Sequence, residues 1–84
     1  MMKSFGRTEY KILRDDDGKF HSANSPAIQY SNGDGTWYFH GKFHRVDGPA
    51  VDWPSKNYYA YYINGVQYSK EVFERIVKNM KVFL

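Results

Sequence analysis

A chain of 84 residues with 42% hydrophobic and 25% charged side chains has the length and balance of one globular domain with a modest core. It contains no cysteine, which excludes disulfide stapling and thiolate metal ligation. The net charge of +3 falls short of the basic stripe of a dedicated nucleic-acid binder, and the 19% aromatic share, with eight tyrosines, favours strand over helix.

In chain order, residues 1–6 have no apolar h-region, so a signal peptide is not expected, and no apolar run has the length of a membrane span. The expected location is the cytoplasm. Arg7 to Arg14 reads as a strand, turned by Asp15-Asp16-Asp17-Gly18. That acidic triplet lacks the spaced oxygen ligands of a calcium loop. Lys19 to His21 is a short return strand, and Ser22 to Pro26 an irregular corner, since proline cannot donate to a ladder. Ala27 to Tyr30 resumes as a strand, Ser31 to Gly35 turns, and Thr36 to His40 is the next strand.

Gly41 turns that strand, Lys42 to His44 returns, and Arg45 to Pro49 makes a second corner. Ala50 to Trp53 is a strand, Pro54 to Asn57 a turn, and Tyr58 to Ile63 a strand ending at Asn64-Gly65, a type I′ hairpin candidate. The second corner repeats the first. Gly41-Lys42-Phe43-His44 matches Gly18-Lys19-Phe20-His21 at a constant offset, and Pro49-Ala50 matches Pro26-Ala27. Trp37-Tyr38-Phe39 corresponds to Tyr61-Tyr62-Ile63 with one residue inserted between the copies. Two hairpin-plus-corner units result, and a third begins at Gly65.

A helix cuts the third unit short. Ser69 is a suitable N-cap and Glu71 an acid in the first turn. Val72, Phe73, Ile76, Val77 and Met80 fall on one helical face, and Glu71-Arg75 and Glu74-Lys78 have the favourable acid-first order. The expected fold is a single α+β domain over 1–84, mostly β. An antiparallel meander of hairpin repeats spans 7–68, and one C-terminal helix spans 69–82. In Tyr58 to Ile63 both side-chain parities are apolar or aromatic, and one helix covers only one face. The other face must meet a further layer, a second copy or a partner, or stay partly wet.

The decapeptide Gly41-Lys42-Phe43-His44-Arg45-Val46-Asp47-Gly48-Pro49-Ala50 resembles a tandem repeat, roughly WYxNGKxHRxDGPAxxxxNG. That repeat is seen in uncharacterised proteins of tailed phages, some bacteria and large viruses, and is distantly similar to MORN-type hairpin repeats. The likeness covers about residues 17–68 and is degenerate in the first copy, where Ser22, Asn24 and Ser25 replace Arg, Asp and Gly. It implies a β-hairpin scaffold and a phage-like origin, hence a host-cell cytoplasm, and no agreed chemistry.

His40, His44 and Asp47 could in principle hold a metal. His44, Arg45 and Asp47 likewise invite a catalytic reading. A corner fixed by its own hydrogen bonds explains the same residues with fewer assumptions, and no nucleophile elbow, P-loop or dinucleotide fingerprint is present. No catalytic residue, cofactor or metal ligand is therefore assigned. Gly41, His44, Arg45, Asp47, Gly48 and Pro49 are expected to build the repeat corner. Trp37, Trp53, Tyr59 and Tyr61, with Lys42 and Lys56, form the expected interaction surface, since Tyr and Trp are common interface anchors. The expected function is that of a non-enzymatic protein-binding module, such as a phage accessory protein that modulates a host defence or nucleic-acid-processing factor. A single-stranded nucleic-acid binder and a self-associating homodimer are the alternatives.

Overall fold

The computed structural model describes residues 10–82. Arg7 to Glu9 of the first expected strand, and Phe83 and Leu84, lie outside them. Among the described residues eight strands precede one helix: β1 (Tyr10–Ile12), β2 (Ile28–Tyr30), β3 (Gly35–Thr36), β4 (Tyr38–Phe39), β5 (Lys42–Phe43), β6 (Val51–Trp53), β7 (Tyr58–Ile63), β8 (Val66–Tyr68) and α1 (Lys70–Val82). All pairings between these strands are antiparallel. One sheet runs β1-β2-β3-β6-β7-β8, and β4-β5 is a separate hairpin. The fold is thus mostly β, an antiparallel meander of hairpins with one C-terminal helix among the described residues.

Local chemistry accounts for the turns. Asp15 Oδ1 accepts the N–H groups of Asp17 and Lys19, both at 2.9 Å, so the acidic triplet is an Asx turn closed by Gly18 at φ +82°. The return after it is an isolated Arg14–Phe20 bridge rather than the expected strand. His40-Gly41 and Asn64-Gly65 are matched tight turns, with φ of 48° and 85° in the first and 49° and 83° in the second. Both central residues of a type I′ turn need positive φ, which Asn and His tolerate better than most.

The expected strand Thr36–His40 divides at Trp37. Thr36 pairs with Ile28 and Val51 in the large sheet, while Tyr38 and Phe39 pair with β5. Trp37 joins the two, donating its N–H to the Ala50 carbonyl and accepting from His44 N–H.

The helix begins as the sequence dictates. Ser69 Oγ accepts the Val72 N–H at 3.3 Å, an N-cap bond. Phe73 is buried and meets the Tyr61 ring at 4.9 Å, so α1 covers the β7 face that carries Tyr61. The buried apolar residues are few and mostly small: Ala27, Ala50, Val51, Ala60, Ile63 and Phe73. The shape is correspondingly flat, 52 × 32 × 18 Å. No helix among the described residues is long and apolar enough to cross a membrane.

Candidate functional site: a latched corner and an aromatic groove

The repeat motif folds into a self-satisfied corner. Arg45 Nε donates to Asp47 Oδ1 at 2.7 Å, and its Nη1 donates to the Pro49 carbonyl at 3.1 Å and to Asp52 Oδ2 at 3.4 Å. The guanidinium carbon lies 4.0 Å from the Trp37 ring centroid, a cation–π contact. Gly48 makes room for it: a Cβ there would stand 2.9 Å from Arg45 Cζ. In the degenerate copy, Ser22 and Ser25 bond each other through their hydroxyls at 2.7 Å, at the positions of Arg45 and Gly48.

The histidines latch one hairpin to the next. His21 Nδ1 accepts the His40 N–H, and His44 Nδ1 accepts the Asn64 N–H, both at 3.0 Å. Gly41 N–H to Phe20 carbonyl and Gly65 N–H to Phe43 carbonyl repeat alongside, as do Ser22 N–H to Tyr38 carbonyl and Arg45 N–H to Tyr62 carbonyl. Each latch fixes the tight turn of the following hairpin. Burial lowers the His44 pKa below its ordinary 6.5, which suits a neutral ring accepting at Nδ1.

Metal-ligand chemistry gathers elsewhere than the sequence suggested. His40 is not joined by His44 and Asp47. Instead Asp15, His21 and His40 bring ligand atoms within 4.8 Å of one another. His40 Nδ1 and Asp15 Oδ2 are 2.7 Å apart, and the His21 and His40 rings stack with centroids 4.0 Å apart at 23°. Lone pairs in near-parallel ring planes do not converge on one ion, and His21 Nδ1 already holds a backbone N–H. The hydrogen bond from His40, and further bonds from the Lys19 and Asp17 N–H groups, hold the Asp15 carboxyl at a pKa of about 2.

The sheet face opposite Tyr61 carries an open groove of about 630 Å³. Its floor is Ile28, Thr36 and Val51, which the register sets side by side. Along one wall the rings of Tyr38, Phe43 and Tyr62 follow one another at 4.8 Å each, and Phe20 packs on Tyr38 at 5.0 Å. Trp53 and Tyr58 form the other wall, with centroids 5.8 Å apart, and Tyr30 continues it. Trp53 Nε1 donates to Thr36 Oγ1 at 3.2 Å, which fixes the indole. Lys56 is the one charged residue among those lining the groove. Burial, with a further contribution from Tyr30, raises the Tyr38 pKa.

The expected surface residues divide between places. Trp53 and Lys56 line the groove. Tyr59 pairs with Asp52 on the opposite face, and Tyr61 packs beneath α1. Trp37 lies under Arg45, and Lys42 pairs with Phe39 in the β4-β5 hairpin, near Gly65. Sequence reading missed Tyr30, Tyr38, Phe43, Tyr58 and Tyr62. One signal was present: if Pro54 to Asn57 is the turn, Trp53 faces Tyr58, and period two then assigns Tyr62 rather than Tyr61 to that face.

It also missed Asp34, which is fully buried. Its carboxylate accepts the Ser55 N–H at 3.0 Å and the Ser55 hydroxyl at 2.6 Å, and Asn32 Nδ2 donates to it at 3.2 Å. It thereby ties the turn after β2 to the 3-10 turn Pro54–Lys56 at the end of the groove.

No protein family, curated protein sequence or solved structure matches this chain.

Proposed function

We propose that this protein is a non-enzymatic binding module that docks a segment of a partner protein in the aromatic groove. The observation that carries this reading is the aromatic-walled groove, open on the face that α1 does not cover. Tyr58 is 47% exposed there, so a partner gains apolar burial on contact. Trp53 is already hydrogen-bonded in place, which reduces the ordering cost of binding. Arg45 donates to Asp47, Pro49 and Asp52 within the corner, and the His44 Nδ1 serves Asn64, which supports a structural part for the motif over a catalytic one. The repeat resemblance suggests the setting of a phage accessory protein acting on a host protein.

Stacking rings would also suit single-stranded nucleic acid. Such binding draws most of its affinity from phosphate neutralisation, and a single lining lysine supplies little of it.

A random peptide library displayed on phage and panned on the full chain tests the proposal. Enriched peptides should lose binding to Tyr58→Ala and keep it with Tyr59→Ala, an equally exposed tyrosine on the other face. Peptides that ignore Tyr58→Ala would contradict the proposal. So would a labelled oligonucleotide that binds in a Tyr58-dependent, steeply salt-sensitive manner while no peptide does.

A further inference from the structure

The chemistry of the groove narrows what it can hold, given that it is the docking site. Its floor belongs to strands whose backbone groups are spent on one another in the β2-β3-β6-β7 ladder, so a peptide cannot add as a strand there. An ordinary extended segment would aim N–H groups at Ile28 and Val51, where no backbone acceptor waits. Unpaired buried N–H groups are costly. A helix satisfies its own N–H and C=O groups, so it leaves the tyrosine hydroxyls of the lining without a backbone acceptor.

Proline removes the conflict because it has no N–H. In polyproline II conformation the chain has no internal hydrogen bonds, and its carbonyls point outward to take donors. Tyr38 and Tyr58 among the lining residues carry hydroxyl donors, and the lining rings offer flat faces against which pyrrolidine rings pack. At its end stands Lys56, with no carboxylate among the lining residues to neutralise it.

We propose that the groove binds a short proline-rich segment in polyproline II conformation, with an acidic residue of that segment set against Lys56. The ordering cost of such a segment is low because the conformation is largely preformed. The proposal rests on the groove being the docking site, and its test separates the two.

A synthetic decamer, two-thirds proline with one terminal glutamate, is titrated into the full chain and followed by tryptophan fluorescence. Three comparisons accompany it: the same peptide with prolines replaced by alanine, the same with glutamate replaced by lysine, and the Tyr58→Ala, Tyr59→Ala and Lys56→Glu proteins. Expected are a tenfold or greater loss for the alanine peptide and for Tyr58→Ala, and no change for Tyr59→Ala. Lys56→Glu should weaken the glutamate peptide and strengthen the lysine peptide. If library peptides depend on Tyr58 yet the decamer binds no better than its alanine form, the proline assignment is wrong and the groove stands. If the decamer binds Tyr58→Ala as tightly as the unaltered chain, its place in the groove is wrong. A Tyr58-dependent oligonucleotide with no decamer binding overturns both.

Discussion

Replacing Gly48 by alanine probes the repeat corner at its tightest point. The new Cβ would stand 2.9 Å from Arg45 Cζ and 3.1 Å from its Nη1. The guanidinium is the free end of a flexible side chain, so it moves and the backbone stays. Moving it forfeits four interactions, of which the 3.4 Å contact with Asp52 is the longest and adds least. The pair with Asp47, whose side chain is 73% exposed, contributes about 0.5 kcal/mol. The bond to the Pro49 carbonyl contributes about 1 kcal/mol. The stack on Trp37 contributes about 1 kcal/mol. Alanine restricts the unfolded chain and returns ~0.4–1 kcal/mol. The net expectation is a loss of about 2 kcal/mol, read as a fall in the urea midpoint at unchanged slope. The same change in an Arg45→Ala background should be neutral or slightly stabilising, because the three atoms nearest the new Cβ all belong to the Arg45 guanidinium. An equal cost in both backgrounds would refute the argument, since the coupling would then be absent.

Three further outcomes follow from the same geometry. His44 accepts the Asn64 N–H only when neutral, and its folded pKa lies below 6.5, so the unfolded chain binds more protons as pH falls. Stability should therefore hold above pH 6.5 and decline below it, through the lowered folded value. Urea midpoints at pH 7.5 and pH 5 should differ less in His44→Gln. Asp34→Ala strips a buried carboxylate from Ser55 and Asn32 and should cost about 3 kcal/mol in chemical denaturation. Ser69→Ala removes the acceptor of the Val72 N–H and should cost about 1 kcal/mol, with loss of helical circular dichroism at the first turn.

Hairpins and helix were legible because their causes are local. Asp17-Gly18, Asn64-Gly65 and the Ser69 cap act within a few residues, and the structure uses each of them. The two motif copies foretold matching bonds, such as those from Gly41 to Phe20 and from Gly65 to Phe43, whose spans differ by the one inserted residue. What was illegible depends on neighbours distant in sequence. Trp37 divides a strand because Thr36 and Tyr38 pair with different partners, and no local preference encodes that. Asp34 looked like one more turn residue, since the Ser55 that needs its carboxylate lies across the fold. The groove lies one step of parity from the expected Tyr59 and Tyr61. Tyr58 to Ile63 is apolar on both faces, so alternation within the strand cannot choose between Tyr61 and Tyr62. Only the pairing of Trp53 with Tyr58 does.

The central claim is that partners enter the groove, and the two tryptophans supply an internal comparison. Trp53 lines the groove, whereas Trp37 lies beneath Arg45 in the corner. Nitrogen-15 labelled protein titrated with a library-selected peptide gives one indole N–H resonance for each. The account predicts that the Trp53 resonance moves in proportion to saturation while that of Trp37 stays in place. A saturable shift at Trp37 with none at Trp53 would contradict it.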